Sequence, residues 1–183
     1  MDSTSVDLKE LDELDTPVLN EESDEAWIEK CLDYAKKDKE ELREIIKPVL
    51  SEPHFQLPKD VQERLVDFQI TPTLYKAMAS EIQRWKKDTE IIKRLGEFPD
   101  VPLTVIGRDS EFTINAEMDS GIPLEELRIF EEKWKELIIK QGGLSPRSEV
   151  IFASNSGHSV YLDRPDLLVE CIHRLISCGK PSK

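Results

Sequence analysis

The sequence predicts an α/β fold in which a helical region precedes a strand–helix–strand–helix unit. Apolar residues recur at three- and four-residue spacing over roughly 23–96, which predicts amphipathic helices. Two short apolar, β-branched runs, 101–106 and 150–153, predict buried strands. A helical pattern separates these runs and another follows them, so the strands should be parallel and joined by a crossover.

Four helices are expected in the first region. They should begin near Ser23 or Asp24, around Leu42, around Val61 and at Thr71-Pro72. The fourth has the clearest signal, because Thr71 suits the cap position and Pro72 the first helical position. Gly96 should end it.

The second region predicts a strand at 101–106, a loop through Gly121, and a helix from Leu124 to the Gly142-Gly143 pair. A strand at 150–153, a loop at 155–158 and a final helix opened by Pro165 complete it. Two strands that are apolar on both faces cannot form an independent sheet. The fold is therefore expected to be incomplete within this sequence.

Charge is distributed unevenly. The formal net charge is −13, and residues 1–29 hold eleven acidic side chains against one lysine, Lys9. Residues 1–22 therefore predict a solvated acidic lead-in. This balance argues against nucleic acid and anionic membrane as partners, since both require a basic surface. With no long apolar run, no signal peptide and an odd number of cysteines without a CxxC pair, a cytoplasmic protein is expected.

Two stretches then carry a resemblance. Residues 100–109, Asp-Val-Pro-Leu-Thr-Val-Ile-Gly-Arg-Asp, and 156–168, Ser-Gly-His-Ser-Val-Tyr-Leu-Asp-Arg-Pro-Asp-Leu-Leu, resemble the end of an α/β-hydrolase. In that family the penultimate strand ends in a turn with the catalytic acid, and the last strand precedes a Gly-His loop. The resemblance implies that 1–22 include the end of strand six, 23–97 form a helical cap, and 98–183 form the C-terminal part of the core.

The resemblance implies catalytic roles for three residues. His158 occupies the place of the catalytic base, which must orient and deprotonate a serine. The acid is either Asp109 or Asp2. Asp109 follows the first strand, but the family's usual position, three residues after the glycine, is Ser110 here; Asp2 fits relatives whose acid ends strand six. His54 and His173 are expected in a cap loop and on a helix edge.

A nucleophile is missing from the pattern. The sequence contains no Gly-x-Ser-x-Gly elbow, and the nearest stretch, 143–147, lacks the second glycine. We therefore expect the first five strands to lie outside this sequence, the isolated chain to be inactive, and its partner to be that N-terminal half or a second copy.

The implied function is serine-type hydrolysis of a small ester-like or acyl substrate by an esterase-like enzyme. No cofactor and no metal site are expected. Aromatic residues of the cap region hint at an apolar acyl group. The alternative is a non-catalytic binding or interaction module derived from an α/β-hydrolase. An unrelated helical protein is disfavoured, because its two buried strands would lack neighbours.

Overall fold

The computed structural model describes residues 5–21 and 23–178. Within them lie the helices and strands α1 Asp24–Tyr34, α2 Lys39–Ile46, α3 Lys59–Gln69, α4 Pro72–Ile92, β1 Leu103–Arg108, α5 Ser110–Glu117, α6 Leu124–Gly142, β2 Ser148–Ala153, α7 Val160–Asp163 and α8 Pro165–Cys178. Short 3₁₀ helices occupy Leu8–Leu11 and Glu52–Gln56. The chain forms two compact units, a helical unit (Glu22–Thr89) and an α/β unit (Met1–Glu21 with Glu90–Lys183).

The helical unit begins as the sequence predicts. The Ser23 hydroxyl accepts a hydrogen bond from the backbone N–H of Ala26 at 3.2 Å and so caps α1. At the start of α2, Asp38 and Glu41 form a reciprocal capping box. The core of this unit is a cluster of five buried residues from its helices and the turn before α4: Cys31, Leu42, Ile70, Tyr75 and Ala79.

The last helix of this region is shorter than predicted. α4 starts at Pro72 but ends at Ile92, not at Gly96. Gly96 lies just after the turn that follows α4, with φ +99°, a conformation that favours glycine. The predicted Gly signal thus marks the end of the turn and not the end of the helix.

The two strands pair in parallel, which confirms the predicted orientation. Leu103 lies opposite Ser148 and Arg108 opposite Ala153. α6 packs on both strands. Gly107 permits this packing, because a Cβ there would lie 2.7 Å from a ring carbon of Phe152. The described residues thus have mixed helix-and-strand structure, consistent with a partial α/β fold.

The predicted loop through Gly121 is partly wrong. It contains α5, which Asp109 caps by accepting hydrogen bonds from the backbone N–H groups of Glu111 and Phe112 at 3.0 and 3.2 Å. Only Ile114 of this helix is buried. Such a weak apolar stripe explains why periodicity did not reveal the helix.

The predicted solvated lead-in is also partly wrong for residues 5–21: Asp12, Glu13 and Asp15 are exposed, but other residues of the segment are not. Leu11 and Thr16 are buried in the α/β unit, with 8% and 1% exposure. The carboxylate of Glu126, on α6, accepts hydrogen bonds from the backbone N–H groups of Val18 and Leu19 at 2.9 and 3.0 Å. This segment is therefore part of the packed unit.

Opposite charges hold the same segment. Asp7 pairs with Lys140 at 2.7 Å and with Lys93 at 2.6 Å, and Glu10 pairs with Lys140 and Lys133. Hydrogen bonds from Lys140 and then Lys93 lower the pKa of Asp7 below its ordinary value. Two of the acidic side chains that predicted solvation, Asp7 and Glu10, are thus paired with lysines distant in sequence.

Candidate functional site

His158 lies on the loop that follows β2. The strand ends at Ala153, and the loop continues to the start of α7 at Val160. The residue is exposed. This confirms the predicted loop after the strand, whereas the catalytic role of His158 stays a prediction.

Asp109 fixes one side of the His158 loop. Its Oδ2 accepts a hydrogen bond from the backbone N–H of Asn155 at 2.9 Å, and its own backbone N–H donates to the carbonyl of Ser156 at 2.8 Å. Asn155 has φ +57°, a left-handed conformation that asparagine tolerates better than most residues. The conformation of the turn is therefore set both by the asparagine at position 155 and by its hydrogen bond to Asp109.

Asp163 fixes the other side. Its Oδ2 accepts hydrogen bonds from the Gly157 backbone N–H at 2.9 Å and from the Ser156 hydroxyl at 3.4 Å. Ser156 is fully buried. The acid of the Leu-Asp-x-Pro stretch thus holds the residues immediately before His158, a role that sequence reasoning did not identify.

Arg164 adds a third restraint. Its guanidinium donates one hydrogen bond to the carbonyl of Ser154 at 3.1 Å and two to the carboxylate of Asp166 at 3.0 and 2.8 Å. The Arg164 guanidinium lowers the pKa of Asp166 to about 2. Such a bidentate pair has a fixed geometry. The start of α8 is thereby joined to the first residue of the loop.

The placement of the two candidate acids differs. Asp109 contacts the His158 loop, and the backbone N–H of Asn155, followed by those of Phe112 and Glu111, lowers the pKa of its carboxyl. Those three bonds stabilise the ionised form that a triad acid requires, but they also explain the residue structurally. Asp2 lies outside the described residues.

An aromatic and charged cluster borders the imidazole. The ring of Trp134, on α6, lies 6.3 Å from that of His158 between centroids, at 79° between the planes. Arg108 stacks over Trp134 at 4.1 Å and forms a buried ion pair with Glu131. Sequence reasoning missed these three residues, although Glu131 and Trp134 are three apart and so share a helix face.

An open cleft of about 790 Å³ lies beside the carboxyl end of β1. Apolar side chains of Ile114, Ile139 and Phe152 line part of it, and charged side chains, mostly from α6, line most of the rest. In parallel sheets this end is where ligands usually bind. Its lining includes Asp109 and Arg108.

The other histidines have different surroundings. His54 lies in the short helix Glu52–Gln56, and its Nδ1 is 2.7 Å from the hydroxyl of Ser51, which precedes that helix. His173 is exposed on α8. Across residues 5–21 and 23–178, no group of three or more His, Cys, Asp or Glu side chains is arranged to hold a metal ion. Nor does any helix in those ranges combine the length and apolar character needed to cross a bilayer.

The comparisons with known proteins leave the family open. No family model, no curated protein and no solved structure matches this chain.

Proposed function

We propose that this chain supplies the base, and with it the acid, of an α/β-hydrolase that cleaves a small ester-like or acyl substrate by serine chemistry. The observation that carries the proposal is the His158 loop, which directly follows the second of two parallel strands and is held by Asp109 and Asp163. Catalytic groups of α/β folds lie on such loops.

The chemistry required of His158 is proton transfer. Its imidazole would take the proton of a serine hydroxyl as that oxygen attacks the acyl carbon, and return it to the leaving group. A carboxylate, Asp109 or Asp2, would orient the imidazole and stabilise its charged form. An exposed ring on a restrained backbone meets both demands, because it can reach a substrate without losing its position.

The serine itself has to come from a segment outside this sequence, since no Gly-x-Ser-x-Gly occurs here. We therefore expect a fluorophosphonate probe to leave the isolated chain unlabelled. Stoichiometric labelling of a serine of this chain would contradict the proposed division of the active site.

Reading the coding sequence upstream of the Met1 codon tests the same point. The proposal expects an in-frame Gly-x-Ser-x-Gly after a predicted strand. If that frame is closed and no polypeptide with such an elbow copurifies with the chain, the enzyme proposal fails.

One observation favours the alternative, a non-catalytic binding or interaction module. All three side-chain hydrogen bonds that fix Asp109 come from backbone N–H groups, as expected of a purely structural residue. In that case a joined polypeptide, made of this chain and the segment that carries the Gly-x-Ser-x-Gly elbow, would fold but lack esterase activity.

A further inference from the structure

A buried ion pair lies at the end of β1. Arg108 is the last residue of that strand, and Glu131 lies on α6; their side chains are only 10% and 4% exposed. Arg108 Nε donates to Glu131 Oε2 at 3.2 Å, and its Nη2 donates to Oε1. Because removing two charges from water offsets most of their attraction, such a pair contributes fixed geometry more than net stability.

That geometry fixes the plane of the guanidinium, and an indole lies against it. The Arg108 guanidinium carbon is 4.1 Å from the centroid of the Trp134 ring. Phe130 stacks on the same indole, with centroids 6.0 Å apart and an interplanar angle of 24°. Cation–π and aromatic contacts therefore restrain the orientation of Trp134.

The restrained indole meets the imidazole of His158 nearly at right angles, with 6.3 Å between ring centroids. Asp109 and Asp163 hold the backbone of the loop. An edge-to-face contact favours some rotamers of the His158 side chain over others. Trp134 thus contributes a restraint on the side chain itself.

We propose that Trp134 is a positioning residue for His158 and that the Arg108–Glu131 pair holds Trp134 in place. The inference rests on the proposed function for its biological meaning. A base must present one ring nitrogen to the nucleophile and the other to the acid, so a flipped ring has its two nitrogens exchanged. Trp134 favours one of the two ring orientations without touching the reacting atoms.

The test is NMR of the whole chain with ¹³C-labelled histidine. The sequence has three histidines, and His158→Gln assigns the signals of interest. Trp134→Leu should move the imidazole resonances of His158 towards unfolded-chain values and average its χ1 couplings. His54 and His173 serve as internal controls and should not move. Trp134→Phe keeps a ring and should give a smaller change; it also gives the readout if the leucine variant unfolds.

The ion pair is tested by removing both charges together, as Arg108→Met with Glu131→Leu, since a single substitution leaves a buried charge unpaired. The double variant should stay folded and show the His158 changes of Trp134→Leu. Unchanged χ1 couplings of His158 in Trp134→Leu would overturn the proposal whatever the chemical shifts do, because loss of the indole ring current moves those shifts in any case. Unchanged couplings in the double variant would remove the ion pair from the proposal. These readouts need no activity, so an inactive joined polypeptide would defeat the proposed function alone.

Discussion

Replacing Asp109 by asparagine should destabilise the α/β unit by about 2 kcal/mol. The carboxylate accepts one hydrogen bond from the loop after β2 and two from the first turn of α5. An asparagine keeps one oxygen for the helix cap but turns an N–H₂ group towards the N–H of Asn155. Losing a hydrogen bond to a charged group costs about 1.5–3 kcal/mol. Asp109→Ala also loses the cap, roughly 1 kcal/mol more, for a total of about 3.

Tryptophan fluorescence during urea unfolding measures the loss of stability of the α/β unit separately from that of the helical unit. Of the three tryptophans, Trp27 and Trp85 lie in the helical unit and Trp134 in the α/β unit. A Trp27→Phe/Trp85→Phe background therefore reports on Trp134 alone. Asp119→Asn, at an exposed residue just after α5, is the matched control.

The pH dependence has a definite sign. The carboxyl pKa of Asp109 is lowered from its ordinary 3.8 in the folded state, so its stabilisation is complete above that pH and is lost as pH falls through the folded value. The difference between wild type and Asp109→Asn should be constant near neutrality and shrink below pH 3.8. Equal urea midpoints for Asp109→Asn and Asp119→Asn would refute the reasoning.

Three further substitutions test the packing of the α/β unit. Glu126→Ala should cost about 2–3 kcal/mol and speed hydrogen exchange at the two amides it binds, with exposed Glu125→Ala as the control. Asp7→Asn should cost about 1 kcal/mol at low salt, less at high salt, and nothing well below pH 3.8, because its lysine partners lower the pKa of Asp7; an effect independent of salt would contradict this. Gly107→Ala should cost about 1–3 kcal/mol in urea unfolding, because its Cβ would overlap Phe152; an unchanged midpoint would mean that the ring moves freely.

Local signals were enough to predict most of the secondary structure. Ser23 and Pro72 mark helix starts through their own chemistry, and the runs around Val105 and Val150 read as strands because they are short and β-branched. The parallel pairing followed from the helix between them. Helix α5 was not predicted, because it has only one capping residue, Asp109, and one buried residue, Ile114, to mark it in the sequence.

Long-range partners explain what the sequence did not predict. The charge of Asp7 predicts solvation, because its partner Lys140 lies 133 residues away in the sequence and only the fold brings the two together. The sequence around Arg108 likewise predicts only a charged residue at the end of a strand, and its neighbours in sequence do not indicate that it is buried against Glu131. The position of His158 followed from a motif, whereas its neighbour Trp134 depends on how α6 packs.

The most direct test of the proposed role of His158 is ester hydrolysis by this chain joined to the polypeptide that carries its Gly-x-Ser-x-Gly elbow. His173→Ala is the control, since that histidine is exposed on α8. His158→Ala should lower kcat for a p-nitrophenyl ester by about 10⁴-fold or more while both variants fold alike. Equal kcat values for the two variants would show that His158 is not the base.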